Sequence, residues 1–293
     1  MRILLAGGSG NVGQNLVPIL ESKGHEVWVL TRNPKQERDI HWNPSKNEIS
    51  SSLTLPIDAV INLNGFSVSN RWTAKNKEIM RDSRVEANNT LVNWFKKTEQ
   101  NPKVWINASA IGIYPSQSHL QDENSPQGKG FLAELCQEWE AFQTQLSTEI
   151  RKVILRIGIV LHGESGALPT LKIPFQFGLG SAIGNGQQYM SWIDMDDLCN
   201  MIAFALENNV SGPVNAVAPE PVTNSDFSKT LAKAMHRPYW APKVPAFAVR
   251  LLMGEMASMV LNSHRISSKK ITSLGFEFSY PTLESSLQHQ LKK

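Results

Sequence analysis

The stretch Ile3-Leu4-Leu5-Ala6-Gly7-Gly8-Ser9-Gly10-Asn11-Val12-Gly13 decides how this chain is read. Four apolar residues suit a strand buried on both faces, and they run straight into glycines spaced G-x-x-G-x-x-G at Gly7, Gly10 and Gly13. Leu16, Val17, Ile19 and Leu20 then follow at helical spacing. Strand, glycine turn and helix in that order make a phosphate cradle. The turn bends tightly, bare backbone lets a pyrophosphate approach, and the helix N-terminus offers N–H donors and the positive end of its dipole. A plain glycine-rich β-α turn is the alternative; the strand before and the helix after favour a dinucleotide.

Working outward, short β-branched runs recur at Glu26 to Leu30, Ala59 to Leu63, Val104 to Ala108, Val153 to Val160 and Val214 to Val217, with room for a crossover helix between them. Runs this apolar, without alternation, suit a parallel sheet covered on both faces, so the class is α/β of the doubly wound Rossmann type. Phe131, Leu135, Trp139, Phe142 and Leu146 form a helical stripe, and Arg84 to Lys97 repeats the pattern. Residues 1–162, with 191–218 returning, read as the dinucleotide domain. Residues 163–190 and 219–293 read as a smaller, mostly helical substrate lobe, in which Phe175 to Trp192 is either a lid over the substrate or a loop between lobes.

After the second strand come Thr31 and Arg32, where a carboxylate would bond the ribose 2'-hydroxyl. An Arg there suits a 2'-phosphate through its planar donor fork, which favours NADP over NAD; a solvent-facing loop residue is the alternative.

The chain has 293 residues, 41% hydrophobic and 19% charged, the composition of a globular protein rather than a disordered one. A formal charge of +3, dispersed along the chain, gives no nucleic-acid footprint. The two cysteines, Cys136 and Cys199, have no metal or redox spacing, and no metal is expected. Nothing like a signal peptide precedes Ile3, and Pro245, Arg250, Gly254 and Glu255 interrupt the longest apolar stretch, Val244 to Leu261. A cytoplasmic protein with no membrane partner is therefore expected. Its partner is a small molecule whose identity, like the oligomeric state, the sequence does not state.

The glycine spacing resembles that of the short-chain dehydrogenase/reductase superfamily. More narrowly, the chain is similar to the YfcH-like NAD(P)-dependent epimerase family, which has a C-terminal domain of unknown function. Leu30-Thr31-Arg32, Val60 to Gly65, Ser109 to Tyr114, Leu155 to Leu161, Ser191-Trp192-Ile193 and Gly275 to Phe278 carry the resemblance. It implies cofactor contacts from Gly7, Ser9, Gly10, Asn11, Val12 and Gly13, from Thr31 and Arg32, from Leu63 and Asn64, and from Arg84 and Ile159. The chain departs from the family at Asn64, Pro115, Ser181 and Asp194, where Ala, Gly, Gly and His are usual.

Reductases of that superfamily use a Tyr with a Lys four residues on: the hydroxyl exchanges a proton and the ammonium lowers its pKa. Phe131 and Leu135 occupy the expected positions here. Tyr239 with Lys243 has the spacing, but Pro238 and Pro242 forbid a helix. The remaining catalytic candidates are Ser109, at a strand end, and Tyr114. Each has a structural alternative, a backbone-bonded hydroxyl for Ser109 and a packed aromatic with a satisfied hydroxyl for Tyr114. Two functions fit: an NADP-dependent oxidoreductase or epimerase on a small polar carbonyl or hydroxyl compound, and a non-catalytic NADP-sensing protein.

Overall fold

The computed structural model describes residues 1–292. Six strands come first: β1 (Arg2–Ala6), β2 (Glu26–Thr31), β3 (Asp39–Asn43), β4 (Glu48–Ile49), β5 (Ala59–Asn62) and β6 (Val104–Ala110). They are followed by β7 (Gln117–Gln121), β8 (Arg151–Ile157), β9 (Ile159–Leu161), β10 (Tyr189–Met190), β11 (Trp192–Asp194) and β12 (Gly212–Ala216), then β13 (Val222–Thr223) and β14 (His264–Ile266). The main sheet has eight strands in the order β12-β8-β6-β5-β1-β2-β3-β4. The pairs β1·β2, β1·β5, β2·β3 and β5·β6 are parallel, and the short β3·β4 edge pair is antiparallel. The chain is thus the α/β, Rossmann-type fold with a mainly helical C-terminal part. The strand order turns back between β1 and β5, the place where open α/β sheets bind ligands.

Two compact units share the chain. The first comprises Met1–Ile113, Gly130–Arg156 and Cys199–Val214; the second comprises Tyr114–Lys129, Ile157–Leu198 and Asn215–Lys293. In the first, α1 (Asn11–Ser22) follows the glycine turn, α2 (Ala74–Lys97) crosses from β5 to β6, and α3 (Phe131–Ala141) lies beside α2. The core of this unit is built around Trp105, which has no exposed surface and meets Phe95 edge-on at 5.5 Å and Phe142 at 5.9 Å. Ring contacts of this kind add about 0.5–1.5 kcal/mol to the area term. In the second unit, Leu161, Trp192, Phe227, Leu231 and Leu287 form a separate core.

Two expectations need adjusting. The run Val153 to Val160 is two strands, broken at Gly158, where a Cβ would stand 2.6 Å from the Ser191 carbonyl oxygen. The helix expected from Arg84 begins at Ala74, because the Thr73 side chain accepts the Asn76 N–H and caps it there.

Candidate functional site

Register brings the loops together. Ala6 pairs with Leu30 on one side and with Asn62 on the other, so Gly7, Thr31 and Leu63 leave neighbouring strands at one level. The glycines are needed there. Gly7 has φ +84°, and a Cβ on it would stand 2.8 Å from the Leu63 carbonyl carbon. A Cβ on Gly13 would collide with the Gly7 carbonyl oxygen and approach Gly8 Cα to 2.6 Å. Gly10 differs: its backbone is extended, and a Cβ would meet only Gly7 O at 3.3 Å, leaving its other side open. Gly10 is the N-cap of α1 without a side-chain cap, and the first turn holds no acidic residue, so the helix end is free for an anion.

From this turn a groove of about 610 Å³ extends along β2, lined at one end by Gly7, Ser9 and Asn64 and at the other by Thr31, Arg32 and Lys35. Its size is that of an ordinary ligand pocket. The far wall is a loop pinned by Asp39, whose Oδ2 accepts the N–H groups of Lys35 (2.7 Å) and Gln36 (2.9 Å). Arg32 and Lys35 are exposed, and among the described residues neither makes an ion pair. Sequence reading missed Lys35 and Asp39; their only signal was proximity to Arg32. Asn11, Val12 and Gly13 belong to the start of α1 beside this groove.

Asn64 is held from two sides, its N–H donating to Asn62 Oδ1 (3.0 Å) and its Nδ2 to the Ser83 carbonyl (2.8 Å). Asn62 in turn donates to Asn88 Oδ1 and Asn107 Oδ1, a fully buried triad that ties the end of β5 to the middle of β6 and to α2. Arg84 lies under the same loop. Its Nη1 donates to the carbonyls of Phe66 (3.0 Å) and Met80 (2.8 Å), its guanidinium lies 4.5 Å from the Trp139 ring, and its Nε has no partner. Burial pulls it down to about 10. The buried charge of Arg84 thus faces carbonyls and a ring.

Ser109, buried at the end of β6, donates its proton to Glu140 Oε1 at 2.6 Å. Glu140 also accepts two bonds from buried Arg156, at 3.0 Å and 2.9 Å. Cys136, also on α3, lies beside Ser109; burial pushes its thiol up to about 11, the Glu140 charge adding to the effect. Phe131 instead packs on Trp72 at 5.0 Å. Neither Phe131 and Leu135 nor the register one residue later, Leu132 and Cys136, offers a hydroxyl with an ammonium.

Tyr114 and Ile159 belong to the second unit. The Tyr114 hydroxyl is buried and donates to Asn215 Oδ1 at 2.7 Å, and the Asn215 N–H donates to Glu123 at 2.8 Å. Ile159, half-buried, starts β9 and pairs with Trp192. Tyr239 and Lys243 lie outside any helix, and Lys243 donates to the Asn185 carbonyl. Asp194, Asp196 and His289 cluster, but Asp194 already accepts from Ser286 (2.7 Å), Gln290 (3.0 Å) and the Asp196 N–H (2.9 Å), while Asp196 meets His289 at 2.8 Å. Asp194, unusual for the resembled family, thus anchors the helix Leu283–Gln290 to β11.

Comparison with known proteins agrees with this geometry. The NAD dependent epimerase/dehydratase family model matches residues 3–218, and a domain of unknown function, DUF1731, matches 244–290. Epimerase family protein YfhF of Bacillus subtilis is 36% identical over 297 residues, 98% of this chain and 97% of its own. The crystal structure of human epimerase family protein SDR39U1 (isoform 2) with NADPH superposes with TM-score 0.92 at 31% identity, covering all of both chains. Thermus thermophilus UDP-glucose 4-epimerase in complex with NAD shares the fold at TM-score 0.74 and 17% identity, over 100% of this chain and 98% of that one.

Proposed function

This chain belongs to the NAD dependent epimerase/dehydratase family, and on that premise we propose that it binds NADP(H) and acts as an oxidoreductase or epimerase on a small polar carbonyl or hydroxyl compound. The observation that carries the cofactor reading is the groove itself, in which a glycine turn with no room for side chains at Gly7 and Gly13 leads to two unpaired cations, Arg32 and Lys35. Gly10 and the N-terminus of α1 would hold the pyrophosphate, and Arg32 the 2'-phosphate. The SDR39U1 structure with NADPH, at 31% identity, supports the choice of NADP over NAD. When bound, a nicotinamide supplies a hydride donor or acceptor.

The residues of this chain supply little proton chemistry of the usual kind. Ser109 commits its proton to Glu140, so toward a substrate hydroxyl it is an acceptor, oriented by the Glu140–Arg156 pair. Tyr114 commits its proton to Asn215 and sits in a satisfied network. That both hydroxyls are engaged favours a second reading, a protein that senses NADP(H) without turnover. Following NADPH oxidation against ketones and nucleotide sugars from about pH 5 to about pH 10 separates the two. The enzyme reading expects turnover that falls in Ser109→Ala or Tyr114→Phe; binding without turnover on every compound supports the sensor.

A further inference from the structure

The second unit exposes apolar side chains that the cofactor reading does not use. Phe177 and Leu179 follow α4 (Ala167–Gln176). Trp240 precedes the helix Ala246–Met253, and Phe247, Leu251 and Leu252 lie on it. These six are 59% to 83% exposed. Within that helix Val249 is the buried anchor, while Phe247 and Leu251, one turn apart, point outward where a soluble helix carries polar groups. The two segments form one surface. The Val244 N–H donates to the Ala182 carbonyl at 2.9 Å, the Gly184 N–H to the Val244 carbonyl at 2.8 Å, and Lys243 Nζ to the Asn185 carbonyl at 2.7 Å.

Charge on these segments is one-sided. Residues 227–254 contain Lys229, Lys233, Arg237, Lys243 and Arg250 and no Asp or Glu, and residues 165–193 contain Lys172 and no Asp or Glu. The whole chain carries only +3, so the remainder is net negative. Arg237, Lys243 and Arg250 are exposed, and among the described residues none makes an ion pair. A two-fold contact with a second copy would set these cations against themselves. Exposed Trp, Phe and Leu interleaved with unpaired Lys and Arg match a layer with anionic head groups over an apolar interior.

We propose that the surface formed by Phe177, Leu179, Trp240, Phe247, Leu251 and Leu252 with Arg237, Lys243 and Arg250 docks peripherally on an anionic phospholipid bilayer. The inference stands apart from the cofactor reading. It departs from the expectation of no membrane partner, which rested on spanning; no helix among the described residues is long and apolar enough to cross a bilayer, and docking needs none.

The test is sedimentation of the full chain with vesicles of phosphatidylcholine alone or with about one-third phosphatidylglycerol, at low and high salt. The chain should pellet with the mixed vesicles at low salt and stay in solution with phosphatidylcholine alone. Replacing the three cations together (Arg237→Gln, Lys243→Gln, Arg250→Gln) should weaken binding about 100-fold, at about fivefold per cation. Phe247→Ser with Leu251→Ser and Leu252→Ser, its fold checked by circular dichroism, should weaken it at least about tenfold. Absence of wild-type binding, equal binding to both vesicles, or binding that survives either set of substitutions overturns the proposal. A doubled mass in light scattering that the serine variant abolishes also overturns it, making the surface a contact between copies.

Discussion

The groove beside the glycine turn and the second unit are built from different materials. In the groove, position is fixed by backbone: a left-handed Gly7, a Gly13 with no room for a Cβ, and a helix end whose N–H groups face outward. In the second unit, position is fixed by buried side chains bonding to one another, as in Asp194 with Ser286 and Gln290, or Tyr114 with Asn215. Backbone devices tolerate no added atoms and leave the groove open to a ligand. Side-chain networks consume their own donors and acceptors, so they hold the structure and offer less to a substrate.

The first unit also contains such networks, and the one joining Ser109, Glu140 and Arg156 tests whether the device rather than the location sets the cost. Glu140→Ala strips buried Arg156 of its carboxylate and Ser109 of its acceptor. The expected loss is about 3–5 kcal/mol of stability, read by chemical denaturation, with Arg156 left as an uncompensated charge. A loss below about 1 kcal/mol would mean that the network holds little together.

In the second unit the corresponding probe is pH. Burial holds His264 at about 4 against an ordinary 6.5, so the unfolded chain takes up its proton first. The stability tied to this neutral ring is fully present above about pH 6.5 and is lost as pH falls toward about 4, on the order of 3 kcal/mol. Denaturation midpoints across that window should fall more steeply for the wild type than for His264→Gln. Equal slopes would show that the ring is solvated.

The glycines should separate folding from binding. Gly13→Ala pushes a Cβ into backbone and should cost about 1–3 kcal/mol of stability. Gly10→Val, facing open space, should keep the fold by circular dichroism and lose cofactor binding by calorimetry; retained binding would mean that Gly10 does not face the phosphates. The smallest expected effect is that of Tyr114→Phe, about 1 kcal/mol for one lost hydrogen bond to Asn215. A change in turnover larger than that stability loss explains would give the hydroxyl a chemical role.

The same contrast accounts for what the sequence disclosed. Six apolar runs were legible because runs without alternation stand out from the polar stretches between them, and the glycine turn because its spacing is local. β3 escaped because Asp-Ile-His-Trp-Asn alternates polar and apolar residues over only five positions near the sheet edge. The early start of α2 was masked by its polar first turns, from Ala74 to Glu78. Glu140 stands 31 residues from Ser109 and Asn215 stands 101 from Tyr114, so their bonds exist only once the chain is folded. Lys35 and Asp39 were within reach of a reading of the loop after Arg32, but a cation and an acid in a polar loop carry no periodic signal.

We propose that this groove takes a dinucleotide with a 2'-phosphate. The most direct measurement is a fluorescence titration of NADPH and NADH on the wild type and on Arg32→Ala. The wild type should prefer NADPH, and the substitution should weaken NADPH about 10- to 150-fold, the value of a charge-assisted contact of about 1.5–3 kcal/mol, while leaving NADH nearly unchanged. Equal wild-type affinity for the two cofactors, or a preference that Arg32→Ala leaves intact, would contradict the claim.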